Sequence, residues 1–313
     1  MSANPVLALK VDVDTERGTR EGVPALVRLL EQFGIPATFL FSLGPDNTGR
    51  AITRIFRPGF FKKVSRTSVL QTYGLRTLLS GTFLPAPHIG QRHASILRDV
   101  QQRGFEVGIH CYDHYRWQDR LFGFSLEETR EQFRRARGEF FRIFGSEAHC
   151  AGAPGWQASE ASKQIYDEAG LLYASDSRGS QPFFPKVGER IFRTLEIPTT
   201  LPTFDELLGR PSFPDEMIPS YYMGLLRRDR PNVMTIHAEI EGGFKRRLFE
   251  SLIRSALDLG CSFIPMEDIA DEVLEGDKGA GICPIQMGMI DGRSGTLALQ
   301  GGVPDCGTPL YSE

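Results

Sequence analysis

Phe105-Glu-Val-Gly-Ile-His-Cys-Tyr-Asp-His-Tyr-Arg-Trp-Gln-Asp119 begins as a strand and turns polar at its end. Residues 105–109 are apolar apart from Glu106, and the strand they predict stops at His110. His114 lies four residues on. A helical turn after the strand puts both imidazoles on one face. Two neutral imidazoles so spaced are half of a divalent-metal site. The chain has six histidines, and a bare His-x3-His is equally at home as polar loop residues, so the remaining ligands have to be sought elsewhere. Cys111, directly after His110, is expected to point away from them.

Other strand ends supply candidates. Residues 6–13 are nearly all apolar and then abruptly acidic, and Asp12 and Asp14, two apart in an extended segment, face the same side. Residues 17–20 read as a turn, 22–33 as a helix with apolar positions at helical spacing, and 37–42 as a second strand. Further strands are expected at 148–153, 171–175, 195–199, 232–237 and 261–264. Helices are expected at 93–103, 126–144, 159–169, 215–229, 244–259 and 266–274. Ser159 should cap one helix and Gly170 close it, and Phe133, Phe140, Phe141 and Phe144 are core candidates on another. This βαβ rhythm predicts an α/β fold with a parallel sheet or barrel.

Asp12, His110, Asp176 and His237 all fall at C-terminal ends of predicted strands. In a (β/α) barrel those ends form one rim, where active sites collect. Asp14, His110 and His114 give one carboxylate and two imidazoles around a metal with a position open for water, a hydrolytic set by ligand type. Asp12 is then free to act as a base, and His237 to protonate a leaving group. One divalent ion is expected, with Zn the first choice and Mn or Co compatible.

The 313 residues suffice for one large barrel, and 41% hydrophobic with 24% charged residues is ordinary for a globular protein. A net charge of −3 excludes a strong overall bias toward nucleic acid, and no apolar run reaches membrane-spanning length. The N-terminus lacks a basic region before its short apolar run and is not expected to be a signal peptide. Five cysteines without paired spacing (111, 150, 261, 283 and 306) read as free thiols.

Residues 47–98 break the pattern, with no Asp or Glu and nine Lys or Arg among many Phe and Leu. Such a segment is either an insertion with a solvated basic face or a contact for an anionic membrane surface. Arg57, Lys62, Lys63 and Arg66 around Phe60 and Phe61 are its tightest cluster. The expected organisation is a single barrel over 1–277, carrying this insertion, and a Gly-rich irregular tail over 278–313.

Asp-x-Asp near the N-terminus, His-x3-His in mid-chain, a Pro-containing loop, an Asp loop and a strand-end His, in that order, resemble the polysaccharide deacetylases. The resemblance implies a distorted (β/α)7 barrel and metal-dependent amide hydrolysis. It also implies Asp12 as base, Asp14, His110 and His114 as ligands, and His237 as acid. Within that family, Asp12-Val-Asp-Thr-Glu-Arg-Gly-Thr-Arg-Glu-Gly-Val-Pro24, Gly44-Pro-Asp-Asn47 and His110-Cys-Tyr-Asp-His114 are similar to a narrower group. So are Ser175-Asp-Ser-Arg-Gly179, the run from Ile197 to Glu206, and Thr235-Ile-His-Ala-Glu-Ile-Glu-Gly242. That group is the bacterial deformylases of undecaprenyl-phosphate-linked 4-deoxy-4-formamido-L-arabinose, which serve lipid A modification and polymyxin resistance. It implies a lipid-linked sugar as partner, no nucleic acid, and peripheral placement on the cytoplasmic face of the inner membrane.

Two departures from the broad family stand out. Gly152 occupies the position, two before Pro154, where the family carries an Arg that orients the base, and no Trp follows Asp176. Asp176 and Arg178 either hold the sugar or its phosphate, replace that Arg, or form a salt bridge within a loop. Trp156 and Glu239 join them as candidate substrate contacts. Two other functions stay open: a deacetylase of a soluble N-acetylated sugar, and a non-catalytic membrane-associated binding protein on the same barrel.

Overall fold

The computed structural model describes residues 4–50, 74, 77–276 and 280–302. Strand β1 (Val6–Val13) sets the plan through its period of two. Leu7, Leu9, Val11 and Val13 enter the large hydrophobic cluster shared with the helices, whereas Ala8 enters a second cluster. Lys10 and Asp12 alternate in phase with Ala8 and so share its face, the inner face of a curled sheet. Helix α1 (Val23–Phe33) buries Leu26, Val27 and Leu30 on the outer face and stops at Gly34, whose φ of 63° suits a residue without Cβ.

Strand β2 (Thr38–Ser42) and helix α2 (Ile89–Gln102) lead to strand β3 (Glu106–Cys111). Helix α3 (His114–Arg120) follows, then α4 (Leu126–Phe144), which opens on a capping box between Ser125 and Glu128. Strand β4 (Cys150–Ala151) precedes α5 (Glu160–Ala169), which Ser159 caps and Gly170 closes as the sequence predicts. Next come β5 (Tyr173–Ala174), β6 (Phe183–Val187), β7 (Arg190–Ile191) and β8 (Leu195–Glu196). Helices α6 (Phe204–Leu207) and α7 (Ile218–Leu225), strand β9 (Asn232–His237), α8 (Arg246–Asp258), β10 (Ser262–Ile264) and α9 (Met266–Glu275) follow. Strands β11 (Gly281–Gly288) and β12 (Leu297–Gln300) end the described chain.

The parallel run is β9-β1-β2-β3-β4-β5-β8. Just past β8, the N–H groups of Thr200 and Leu201 both donate to Val233 O of β9, at 3.0 and 3.1 Å, and draw the two ends of the curl together. This is the curled α/β architecture expected of a distorted (β/α) barrel, and it sets all these C-terminal strand ends on one rim.

Several local expectations need correction. Residues 17–20 continue into a π-type turn over Gly18–Gly22, and a second such turn spans Ile240–Phe244. The two turns dock closely, since a Cβ on Gly242 would lie 2.6 Å from Gly22 O. The helix expected over 215–229 is a short 3-10 turn followed by α7, and Phe141 is 52% exposed on the outer side of α4. Strands β6 and β7 pair as a hairpin that no periodicity announced.

The stretch from 278 is not irregular throughout. Strand β11 pairs with β6 and β12 with β11, while Arg178 N donates to Ala298 O and Gln300 N donates to Arg178 O. Leu297 and Leu299 pack on Trp156. Pairing with distant strands supplies the order that local patterning lacks. The proposed contact residues Arg57, Phe60, Phe61, Lys62, Lys63 and Arg66 lie outside the described residues. Among the described residues, no helix is long and apolar enough to cross a membrane.

Candidate metal and catalytic centre

His110 is the penultimate residue of β3, and His114 is the first residue of α3. Asp113 caps α3, its Oδ1 accepting from Arg116 N at 3.0 Å, and its Oδ2 accepts from Asn47 Nδ2 at 2.6 Å. The turn between strand and helix is thereby fixed, and the two imidazoles come to a centroid separation of 5.3 Å. Cys111 turns away and lies 3.4 Å from Ser42 Oγ.

Asp14 completes the cluster. Its Oδ1 lies 3.2 Å from His110 Nε2 and 3.3 Å from His114 Nε2. His110 Nδ1 is 2.6 Å from Gly152 O, and a carbonyl can only accept, so Nδ1 carries the proton. In the neutral ring, Nε2 then presents a lone pair toward Asp14 Oδ1, which is buried without a hydrogen-bond partner. Lone pairs directed at one another call for a cation between them. Asp14, His110 and His114 form the one such group of three potential metal ligands among the described residues. The residues therefore fit a divalent ion, with the Gly152 carbonyl setting the tautomer of one ligand.

The same carboxylates and imidazoles also favour one another's charged forms. Burial would raise the Asp14 carboxyl, yet His114 and His110 hold it well below its ordinary value. Burial opposes protonation of His110, but Asp12 and Asp14 outweigh it and shift His110 upward.

Asp12 and His237 flank the cluster. Asp12 Oδ1 is buried without a hydrogen-bond partner and lies 3.9 Å from His110 Nδ1. His237 is partly exposed at the end of β9; its N–H donates to Glu241 Oε2 at 2.8 Å, and its Nδ1 has no hydrogen-bond partner. All five residues singled out for chemistry thus meet on one rim.

The four candidate substrate contacts are placed differently. Asp176 is fully buried, accepting from Ala153 N at 2.7 Å and from Lys163 Nζ at 2.9 Å. Lys163 also binds Glu196 at 2.5 Å, forming a closed internal network. Arg178 pairs with Glu206 at 2.6 Å and donates to Leu201 O. Trp156 is 2% exposed beneath β12, with Arg293 and Arg178 stacked 4.4 and 5.2 Å from its ring. These three hold the rim together rather than present a free surface.

Glu239 does sit at the centre, but beneath it. Its Oε1 accepts from Thr15 N, Thr15 Oγ1 and Asp14 N at 2.9, 2.7 and 3.2 Å. Burial, then the neighbouring Asp14 charge, pushes its carboxyl up to about 8. Sequence reasoning missed this anchoring of the ligand loop and also missed the Gly152 carbonyl. The Pro after Gly152-Ala153 was the available signal for a fixed backbone there.

Comparison with known proteins agrees with this geometry. Residues 3–174 match the polysaccharide deacetylase family. A protein of Shewanella sediminis (strain HAW-EB3), named as a probable 4-deoxy-4-formamido-L-arabinose-phosphoundecaprenol deformylase, is 36% identical over 94% of this chain and 94% of its own. A protein of the same name from Wigglesworthia glossinidia brevipalpis is 32% identical, over 90% of this chain and 98% of its own. Among solved structures, a polysaccharide deacetylase from Mycobacterium smegmatis, titled with that function unproven, superposes with a TM-score of 0.61 at 18% identity, covering 90% of this chain and 93% of that one. At that identity the superposition bears on the fold alone. The family match and these full-length relatives place the chain in the polysaccharide deacetylase family of hydrolases.

Proposed function

We propose that the chain is a metal-dependent deformylase acting on undecaprenyl-phosphate-linked 4-deoxy-4-formamido-L-arabinose, releasing formate and the 4-amino sugar used in lipid A modification and polymyxin resistance. The observation that carries the chemistry is the convergence of Asp14 Oδ1 with the Nε2 atoms of His110 and His114, flanked by Asp12 and His237. The substrate assignment is supported by the names of two relatives that match along nearly the whole chain.

Asp14, His110 and His114 would hold the ion. A divalent ion in such a site polarises an amide carbonyl and makes water more acidic. Asp12 accepts the proton of the attacking water through its unpartnered Oδ1. His237 gives a proton to the amide nitrogen as the C–N bond breaks, so the nitrogen departs as a neutral amine rather than as an amide anion. The formamide and one water yield formate and the amine. A formyl carbon bears only hydrogen, so a tight pocket admits it and resists an acetyl methyl, by about 10–200-fold if sterics alone discriminate.

The substrate's lipid anchor requires the enzyme to reach a bilayer. Arg57, Lys62, Lys63 and Arg66, with Phe60 and Phe61, are proposed on sequence grounds as the contact with the anionic cytoplasmic leaflet of the inner membrane. The test of the whole reading is incubation of the purified lipid-linked formamido sugar with protein and metal, read by mass spectrometry.

A further inference from the structure

Lys10 is fully buried in the middle of β1, between Leu9 and Val11. A buried ammonium is destabilising unless it is paired and hydrogen-bonded. A strand needing only a core would carry an apolar residue here, as the neighbouring positions do. None of the proposed proton transfers passes through this lysine.

Its surroundings are specific. Lys10 Nζ donates to Ser175 O at 2.9 Å and lies 3.5 Å from Asp12 Oδ2. Among the described residues, Asp12 is its ion-pair partner. Among the described residues the other fully buried lysine, Lys163, is occupied by Asp176 and Glu196. Ser175 O is itself a fixed point, because Ser175 N donates to Ala151 O and the next residue, Asp176, is tied to Ala153 and Lys163.

Gly152 makes room for the lysine stem. A Cβ there would lie 3.3 Å from Lys10 Cε and 2.5 Å from Leu40 Cδ1. The strand alternation that sets Lys10 and Asp12 on one face, with the ammonium reaching up to the carboxylate, leaves the two Asp12 oxygens unequal. Oδ2 faces the cation. Oδ1, buried and without a hydrogen-bond partner, is the oxygen that lies toward His110.

We propose that Lys10 is a positioning residue for the deformylation: its ammonium, anchored on Ser175 O, holds Asp12 by Oδ2 and turns Oδ1 toward the reacting water. This rests on the reading of Asp12 as the base. The ammonium gives up no proton; it fixes the direction in which Asp12 receives one.

The test is a double-mutant cycle between Lys10→Met and Asp12→Asn in the full-length, metal-loaded protein, with kcat, KM and bound metal measured on the lipid-linked formamido sugar. Lys10→Met should lower kcat by about 10–100-fold, the scale of a misoriented catalytic group, with KM and metal content unchanged. In the Asp12→Asn background the same change should alter the residual rate by less than about threefold, since the group it acts through is already gone. Should Lys10→Met not fold, Lys10→Gln, which keeps a donor for Ser175 O without the charge, is read in the same cycle against the same expectations. A lysine variant with parental kcat, or one that costs as much in the Asp12→Asn background as in the parent, overturns the proposal. Failure of the underlying reading shows separately, as an Asp12→Asn single variant that keeps its rate.

Discussion

Asp12 and His237 are register partners across the parallel strands β1 and β9. Residues so paired project to the same side of a sheet, and here they end on the rim beside Asp14, His110 and His114. The two groups proposed to accept and donate protons are thus set by strand pairing, not by loop conformation. Asp12→Asn should retain metal and lose about 100- to 10,000-fold in kcat, and His237→Ala should fall in the same range with metal retained. Metal content by elemental analysis beside steady-state kinetics checks both. Parental activity in either variant removes that residue from the chemistry.

The metal reading separates from the proton-transfer reading by what is lost together. Asp14→Ala, His110→Ala and His114→Ala should each release the ion and abolish activity, because a site of three protein ligands does not tolerate the loss of one. Chelation of the parent should do the same, with activity returning on addition of Zn, Mn or Co. A variant that loses activity while keeping a full equivalent of tightly bound metal would show that its residue is not a ligand.

Much of this centre was legible in the sequence because its residues obey short-range periodicities. Alternation placed Asp12 and Asp14 together, spacing of four placed His110 beside His114, and apolar runs ending in polar residues marked the rim. Lys10 escaped notice because one charge inside an apolar strand has no local signature, and its meaning comes from Ser175 and Gly152, far along the chain. The Gly152 carbonyl that fixes His110 is backbone, so its residue type does not announce the role, and Pro154 nearby signals only a fixed backbone. Asp176, Arg178 and Trp156 looked like ligand contacts by type and position, but Lys163, Glu206 and the late strand β12 occupy them, and those partners are set by tertiary pairing.

Glu241 ties stability to pH. Burial pushes its carboxyl well above the ordinary value of 4.5, and its Oε1 has no hydrogen-bond partner. The folded chain therefore keeps a proton that the unfolded chain releases once pH passes 4.5, so stability falls as pH rises from there toward the folded pKa. Glu241→Gln cannot ionise and still offers an acceptor to the His237 N–H. Its Tm should exceed the parent's by about 2–4 °C at pH 8, with the difference closing at pH 4. An equal difference at both pH values would show that ionisation is not the cause.

Membrane engagement is testable without reference to the centre. Changing Arg57, Lys62, Lys63 and Arg66 together to Glu should release the protein from anionic liposomes, since each such cation near the surface contributes about 1 kcal/mol. Turnover of the lipid-linked sugar should fall far more than turnover of a short-chain, water-soluble analogue. Sedimentation with liposomes and full activity on the lipid-linked sugar in the four-Glu protein would show that this segment is not the contact.

The most direct measurement is mass spectrometry of purified undecaprenyl-phosphate-linked 4-deoxy-4-formamido-L-arabinose after incubation with the metal-loaded protein, beside Asp12→Asn protein and a soluble N-acetylated sugar. The account predicts loss of the formyl group as formate from the lipid-linked sugar with the parent protein, little loss with Asp12→Asn, and an intact N-acetylated sugar. An unchanged lipid-linked formamide alongside deacetylation of the soluble sugar would contradict it.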